Sequence, residues 1–262
     1  MTPVVSLPMY DWPEISPAID RLWAAIGSSL DELEITRPDR RDTPHETIAG
    51  WRDPALLLSQ TCGLPLRRHL LDDVVVIGAF DHRLPDTAAG DYHSVLIVAA
   101  PNPATSIADL DEATAAVNGA DSQSGHAALR HALIDHPSAV ARSITTGSHR
   151  ASIAAVATGA AEIAAIDAVS WELGLAHEPA AARCRVLART SPTPGLPLIT
   201  AAGNGALLPH LRLAVAHGVD LLGDTDRAAL HLHGLVARNA DDYAVLDERW
   251  TAAGEAGVAE LV

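Results

Sequence analysis

Val117-Asn118-Gly119-Ala120-Asp121-Ser122-Gln123-Ser124-Gly125 is the stretch from which the rest of the chain can be read. The apolar run Ala113 to Val117 reads as a buried strand. It ends in polar and glycine residues and gives way to a helical pattern from His126. Small hydroxyl residues and glycine ahead of a helix expose backbone N–H groups, and the helix dipole adds partial positive charge there. That is an anion site. Ser122 or Ser124 as an ordinary N-cap is the competing reading of this segment alone. A second copy of the device shifts the balance: Ile144-Thr145-Thr146-Gly147-Ser148-His149 leads into the Ala-rich helix 151–158. Two hydroxyl-rich helix starts in one compact segment can converge on one anion.

The totals bound the rest. A chain of 262 residues suits one large or two modest domains. The formal charge of −15, from 33 acidic and 18 basic residues, argues against nucleic acid and anionic membrane surfaces. Every one of those basic residues is Arg. The lack of Lys excludes a lysine Schiff base, pyridoxal phosphate held on lysine, and a Walker-type phosphate loop. No cofactor is expected. Cys62 and Cys184 lie far apart and neither belongs to a Cys-x-x-Cys. His231 and His233 have no acidic or cysteine pattern beside them, so no metal site is expected either. No apolar run is long enough to span a bilayer, and no secretory signal follows Met1. The expectation is a cytoplasmic protein as the sequence stands, or a periplasmic one if a leader has been removed, with no membrane insertion.

In chain order, Val4 to Leu7 reads as a first strand. A helix follows over 16–30, with Ile19, Leu22, Trp23 and Ile26 on one face. Residues 33–36 suggest a second strand, and 37–45 a mobile polar loop with two prolines. Residues 55–59 and 74–78 read as buried strands, and the alternation suggests a parallel α/β layer. Tyr92 to Val98 leads to Pro101-Asn102-Pro103, a crossing between lobes. Residues 100–190 repeat the strand–helix alternation, and Ser191 to Pro197 forms a second connector. The expected fold is α/β with two lobes and a ligand cleft between them. Residues 1–97 and 194–262 form one lobe, and 98–193 the inserted one. Ligands of open α/β sheets sit beyond the carboxyl ends of strands. Those ends carry Tyr10, Gln60, Thr61, Asn118, Thr146 and Asp167.

These residues resemble the PhnD-like substrate-binding proteins of phosphate, phosphite and phosphonate ABC transporters. The matching motifs are Ser6-Leu7-Pro8-Met9-Tyr10, Leu58-Ser59-Gln60-Thr61-Cys62-Gly63, Tyr92-His93-Ser94, and Asn118 with Ser122-Gln123-Ser124-Gly125. Further on come Thr146-Gly147-Ser148-His149-Arg150-Ala151-Ser152, Ala164-Ala165-Ile166-Asp167-Ala168-Val169 and Pro192-Thr193-Pro194-Gly195-Leu196-Pro197. The resemblance covers roughly residues 4–200. It implies the type II periplasmic-binding-protein fold closing on a small oxyanion, with an ABC permease as partner if the protein is exported. It implies that Ser122, Gln123, Ser124 and Gly125 hold anion oxygens at one helix start, and Thr146, Gly147, Ser148 and His149 at the other. Tyr92 and Ser94 reach in from the crossing, and Asp167 meets a protonated or amino-bearing part of the ligand. Many relatives carry a cysteine just before the crossing; here that region is Thr87-Ala88-Ala89-Gly90, so Cys62 has no such partner.

A charged His149 at a helix start opposes the dipole unless an anion offsets the field or the ring stays neutral. A buried Asp167 needs backbone N–H groups or a ligand proton. Tyr10 and Trp12 either pack or touch ligand. The main functional reading is a solute-binding protein for a phosphate-, phosphite- or phosphonate-type oxyanion, with no catalytic residue. The alternative is a cytoplasmic enzyme on the same fold, with His149 and Asp167 as an acid–base pair. A third reading takes a larger anion, such as a sulfonate or an aromatic carboxylate, with Trp12 and Trp171 against a ring.

Overall fold

The computed structural model describes residues 2–42 and 47–261. Two compact units emerge. Unit 1 is Met1–Asp91 with Pro194–Ala244, and unit 2 is Tyr92–Thr193 with Val245–Val262. The strands, in chain order, are β1 (Val4–Ser6), β2 (Leu56–Gln60), β3 (Val74–Asp81), β4 (Asp91–Tyr92), β5 (Ser94–Ala99) and β6 (Ala113–Val117). They continue with β7 (Val140–Thr145), β8 (Ile163–Asp167), β9 (Cys184–Arg189), β10 (Thr193–Pro194), β11 (Pro197–Ala201) and β12 (Gly234–Ala237).

The sheet of unit 1 has the order β1-β2-β11-β3-β12. β1 and β2 are parallel, but β11 lies antiparallel between β2 and β3, and β12 is antiparallel to β3. The parallel layer expected from the sequence is therefore mixed. β3 feeds the outgoing crossing β4, and β11 follows the incoming crossing β10, so an out-and-back pair must run in opposite directions. The sheet of unit 2, β7-β6-β8-β5-β9, is mixed as well. β6 is parallel to β7 and β8, whereas β5 is antiparallel to β8 and β9. β8 and β11 are buried along their whole length, as strands covered on both faces must be.

The helix Ser16–Glu32 carries its apolar stripe at Ile19, Leu22, Trp23, Ile26 and Leu30, all buried. Pro17 fits its first turn, where no N–H is needed. No strand forms over 33–36. Glu34 takes φ +56°, with Ile35 N donating to Leu30 O at 2.9 Å and Glu34 N to Asp31 O at 3.0 Å. This is a Schellman stop, which satisfies the last carbonyls of the helix and leaves no extended run. The following loop is tied down: Arg37 pairs with Asp31 at 2.6 Å, and Arg41 bridges Asp11 and Asp20. Residues 43–45 of the loop expected to be mobile lie outside the described residues.

The units differ from the expected lobe bounds at two places. The first crossing falls before Tyr92 rather than after 97, because β5 pairs with β8 and β9. The chain then crosses a third time after Ala244, so 245–262 belongs to unit 2 instead of the return lobe. Ala253, Val258 and Leu261 join the core formed by Leu96, Val117, Leu129 and Leu133. Polar contacts fasten this last segment. Arg130, itself buried, donates to the carbonyls of Val258 and Ala259 at 3.0 and 3.1 Å. Its guanidinium lies 3.9 Å from the centre of the Trp250 ring. His126 Nδ1 donates to Ala120 O at 2.8 Å, and Leu261 N–H donates to its Nε2 at 3.2 Å. Those two partners define one neutral tautomer.

In unit 1 the helices Ser16–Glu32 and Leu208–Asp220 touch backbone to side chain at Gly218. A Cβ there would stand 2.5 Å from Ile26 Cγ1 and 2.8 Å from Ile26 N. Ser29 Oγ and His217 Nδ1 lie 2.8 Å apart in the same contact. Because Ile26 N is backbone and cannot swing aside, Gly218→Ala is expected to destabilise the protein by about 1–3 kcal/mol. Urea unfolding of the variant checks this.

Candidate functional site

In unit 2 the ends of β6 and β7 are laced together beyond the last ladder pair. Thr146 N donates to Val117 O at 2.8 Å, and Gly147 N to Asn118 O at 3.0 Å. Thr146 Oγ1 lies 3.0 Å from Val117 O and 2.6 Å from Ser152 Oγ, and Ser152 Oγ donates to Asn118 Oδ1 at 3.4 Å. Asn118, Thr146 and Ser152 thus form one polar cluster under the two helix starts.

Both expected helix starts exist, with a difference in form. After Ser122 the chain makes a π-helical turn, Gln123–Ala127, in which Ala127 N reaches back to Ser122 O at 3.0 Å. A short α-helix follows, Ala128–Ala132. Ser122 Oγ accepts from Gly125 N at 2.9 Å. A Cβ on Gly125 would stand 2.6 Å from Asn118 Oδ1, so glycine lets the turn rest on the end of β6. At the other start Ser148 Oγ accepts from Ala151 N at 3.1 Å and caps the helix His149–Thr158. Ser122 and Ser148 are therefore caps. Ser124 is used differently. Its Oγ lies 2.8 Å from His149 Nε2, and its carbonyl accepts the Ser94 hydroxyl at 2.9 Å. The structure brings Ser94, Ser124 and His149 together, and so joins the two helix starts.

His149 is partly exposed as a residue, but its Nδ1 is enclosed and makes no hydrogen bond of good geometry among the described residues. Burial dominates and pushes its pKa down to about 3; the nearby Ala165 backbone opposes the drop in part. Burial and the positive end of the helix both oppose a charge on the ring, which is neutral at pH 7. Arg150, the next residue, turns to Glu178 at 2.8 Å and adds no cation to this point. Asp167 caps the helix Ala168–His177: its Oδ1 accepts from Val169 N at 2.8 Å and Ser170 N at 3.0 Å. Backbone amides thus satisfy that oxygen. Tyr92 is buried in β4, and Gln123 is buried where it lines a pocket with Thr190, Arg249 and Trp250. Trp171 is buried in the core of unit 2.

The remaining expected residues belong to unit 1. Tyr10 follows β1 and meets the His82 ring edge-on at 5.4 Å. Gln60 ends β2, and both residues line one cavity. Thr61 is buried, with its N–H donating to Pro197 O at 3.0 Å. The sequence reading assigned no site role to Ser152, which closes the Thr146 motif, nor to Thr190 or His82. Ser152 stands one turn after the cap Ser148, a spacing that marks it in hindsight. Thr190 Oγ1 accepts from Ser94 N at 2.9 Å, a contact between distant strand ends that no local pattern announces. Among the described residues no cluster of His, Cys, Asp or Glu could hold a metal, and no helix is long and apolar enough to cross a membrane.

Two α/β units, each built on a mixed sheet, define the architecture of the two-lobe periplasmic binding proteins. Solved structures with that fold match nearly the whole chain. One is PhnD1 from Prochlorococcus marinus in complex with methylphosphonate: 15% identity, TM-score 0.73, covering 97% of this chain and 98% of that one. Another is XAC2383 from Xanthomonas citri bound to chloride ion, with 16% identity, TM-score 0.71 and 98% of each chain covered. A third is the periplasmic aliphatic sulphonate binding protein SsuA from Escherichia coli. It shows 16% identity and a TM-score of 0.65, covering 99% of this chain and 94% of that one. No curated protein matches the sequence. The family model for the phosphonate periplasmic substrate-binding protein of ABC transporters matches residues 68–217. The chain belongs to that family.

His149 has a counterpart in unit 1. Burial pushes the pKa of His82 down to about 4, while its hydrogen bond to the His231 carbonyl resists the shift. An unfolded histidine takes its proton near 6.5. Between that pH and about 4 the unfolded chain binds more protons than the native one. Native stability is therefore expected to fall as the pH is lowered through this window, by about 1.4 kcal/mol per pH unit for each such histidine. Urea unfolding across the window measures the slope, and His82→Gln should reduce it by one proton's worth.

Proposed function

We propose that the protein captures a tetrahedral oxyanion of the phosphonate class at the joined helix starts of unit 2. The observation that carries this reading is the contact of Ser124 Oγ with His149 Nε2, 2.8 Å apart. It puts a hydroxyl and a neutral imidazole where two sets of first-turn amides begin. Such donors grip an anion through dipoles. Each hydrogen bond to a charged acceptor contributes roughly 1.5–3 kcal/mol. Reversible capture by neutral groups suits a carrier that must release its load. On a chain with a formal charge of −15, the attraction has to be local. Ser124, His149, Asn118, Thr146 and the amides around Gly125 and Gly147 are the groups assigned to the ligand.

Family membership supports the role of a transport component that passes its ligand to an ABC permease. The methylphosphonate bound to the Prochlorococcus protein and the sulphonate binding of SsuA support the anion class. The acid–base reading of His149 and Asp167 has less to support it. One Asp167 oxygen is committed to the two amides at the start of its own helix.

Titration calorimetry with methylphosphonate and inorganic phosphate tests the proposal. Ser124→Ala should weaken binding by about 1–3 kcal/mol and, because its hydroxyl also joins His149, lower the melting temperature of the free protein modestly. Unchanged affinity together with a sharply lower melting temperature would reduce Ser124 to a structural contact. Product analysis on the same samples should recover the anion intact.

A further inference from the structure

The side chain of His126 closes a loop on the turn that carries Ser122, Gln123, Ser124 and Gly125. Its Nδ1 donates to the Ala120 carbonyl at 2.8 Å, ahead of those residues in the chain. The other ring nitrogen serves a distant stretch. Nε2 accepts the Leu261 N–H at 3.2 Å, 135 positions further on. The two bonds are not independent. A neutral imidazole holds one ring proton, so a nitrogen that accepts obliges the other to donate. Only a bare Nε2 can meet the Leu261 N–H. That puts the proton on Nδ1, where it must be to hold Ala120. With the proton on Nε2, both contacts would turn repulsive together. The ring is buried, so a lost partner leaves a polar nitrogen unsatisfied.

Arg130, one turn on from His126, grips the same stretch through the carbonyls of Val258 and Ala259 at 3.0 and 3.1 Å. Trp250 packs with both residues: the His126 ring meets it edge-on at 5.4 Å, and the Arg130 guanidinium lies 3.9 Å from its ring centre. All of these residues belong to unit 2. We propose that His126 is a positioning residue that couples the grip on the oxyanion to the seating of Val258–Leu261. It acts through the shape of the turn, because both of its nitrogens are engaged within the protein. Seating of Leu261 selects the tautomer that closes the turn, and the closed turn holds Ser124 and the amides around Gly125 in place. By reciprocity, an anion that favours the closed turn holds Leu261 down by the same factor. This inference rests on the oxyanion reading above.

Hydrogen exchange and calorimetry on the full chain test it, with methylphosphonate and inorganic phosphate as probes. In the wild type a saturating anion should slow exchange at the Leu261 amide about fivefold or more. His126→Asn keeps a donor near the place of Nδ1 and cannot reach Leu261. His126→Gln reaches Leu261 and gives up Ala120. Each variant should bind the anion about fivefold or more weakly, and in each the anion should no longer slow exchange at Leu261. The affinity lost in His126→Asn and the protection gained in the wild type should agree in size. Nitrogen NMR of the liganded wild type should find the His126 proton on Nδ1 and Nε2 bare. A residue that only filled space would leave Leu261 exchange indifferent to the anion. If the wild type binds an anion while Leu261 exchange is unchanged, or if either variant binds as the wild type does, this inference falls and the oxyanion reading stands. If the wild type binds neither probe, both fall. Should the variants not fold, the wild-type exchange measurement decides alone.

Discussion

Ser124 Oγ and His149 Nε2, 2.8 Å apart, fasten the segment after β6 to the segment after β7. The arrangement around them follows from that fastening. Asn118, Thr146 and Ser152 share hydrogen bonds below it, and Ser94 holds the Ser124 carbonyl from the neighbouring strand. The parallel register of β6 with β7 and β8 is what brings the strand ends side by side. Were β7 antiparallel, its helix would begin at the far edge of the sheet. The contact also dictates charge. A protonated ring at this spot would face two helix dipoles, so burial and dipoles together hold the imidazole neutral.

Much of this was legible in the sequence because it depends on short-range pattern. An apolar run ending in small polar residues and then a helical period marks a strand end and a helix start, whatever the surroundings. That signal located Ser122 to Gly125 and Thr146 to His149. It did not separate caps from freer hydroxyls. Ser122 and Ser148 bond amides three residues on, whereas Ser124 bonds a ring 25 positions away. Asp167 illustrates the same limit: both of its readings required a buried carboxylate, and only the fold shows the amides of Val169 and Ser170 against it.

Long-range choices were less accessible. The direction of β5 and β11 depends on where the chain crosses between units, and the crossings carry no periodicity of their own. The residues at 33–36 have β-branched character, yet the helix before them ends in a left-handed Glu34 whose hydrogen bonds use up the extended stretch. The placement of 245–262 turned on Ala253, Val258 and Leu261, which read equally well as the apolar face of any terminal helix. What selects unit 2 is Arg130, a buried cation that needs the carbonyls of Val258 and Ala259.

That last segment bears on how the molecule comes into being. Unit 1 needs Pro194–Ala244 to complete its sheet, and unit 2 needs Val245–Val262 to complete its core. Translation delivers the chain from the N-terminus at roughly 5–20 residues per second. The inserted segment therefore leaves the ribosome well before the strip that covers Arg130 and His126. Unit 1 cannot close its sheet before Pro194–Ala244 has been made, and unit 2 cannot close its core before Val245–Val262 follows.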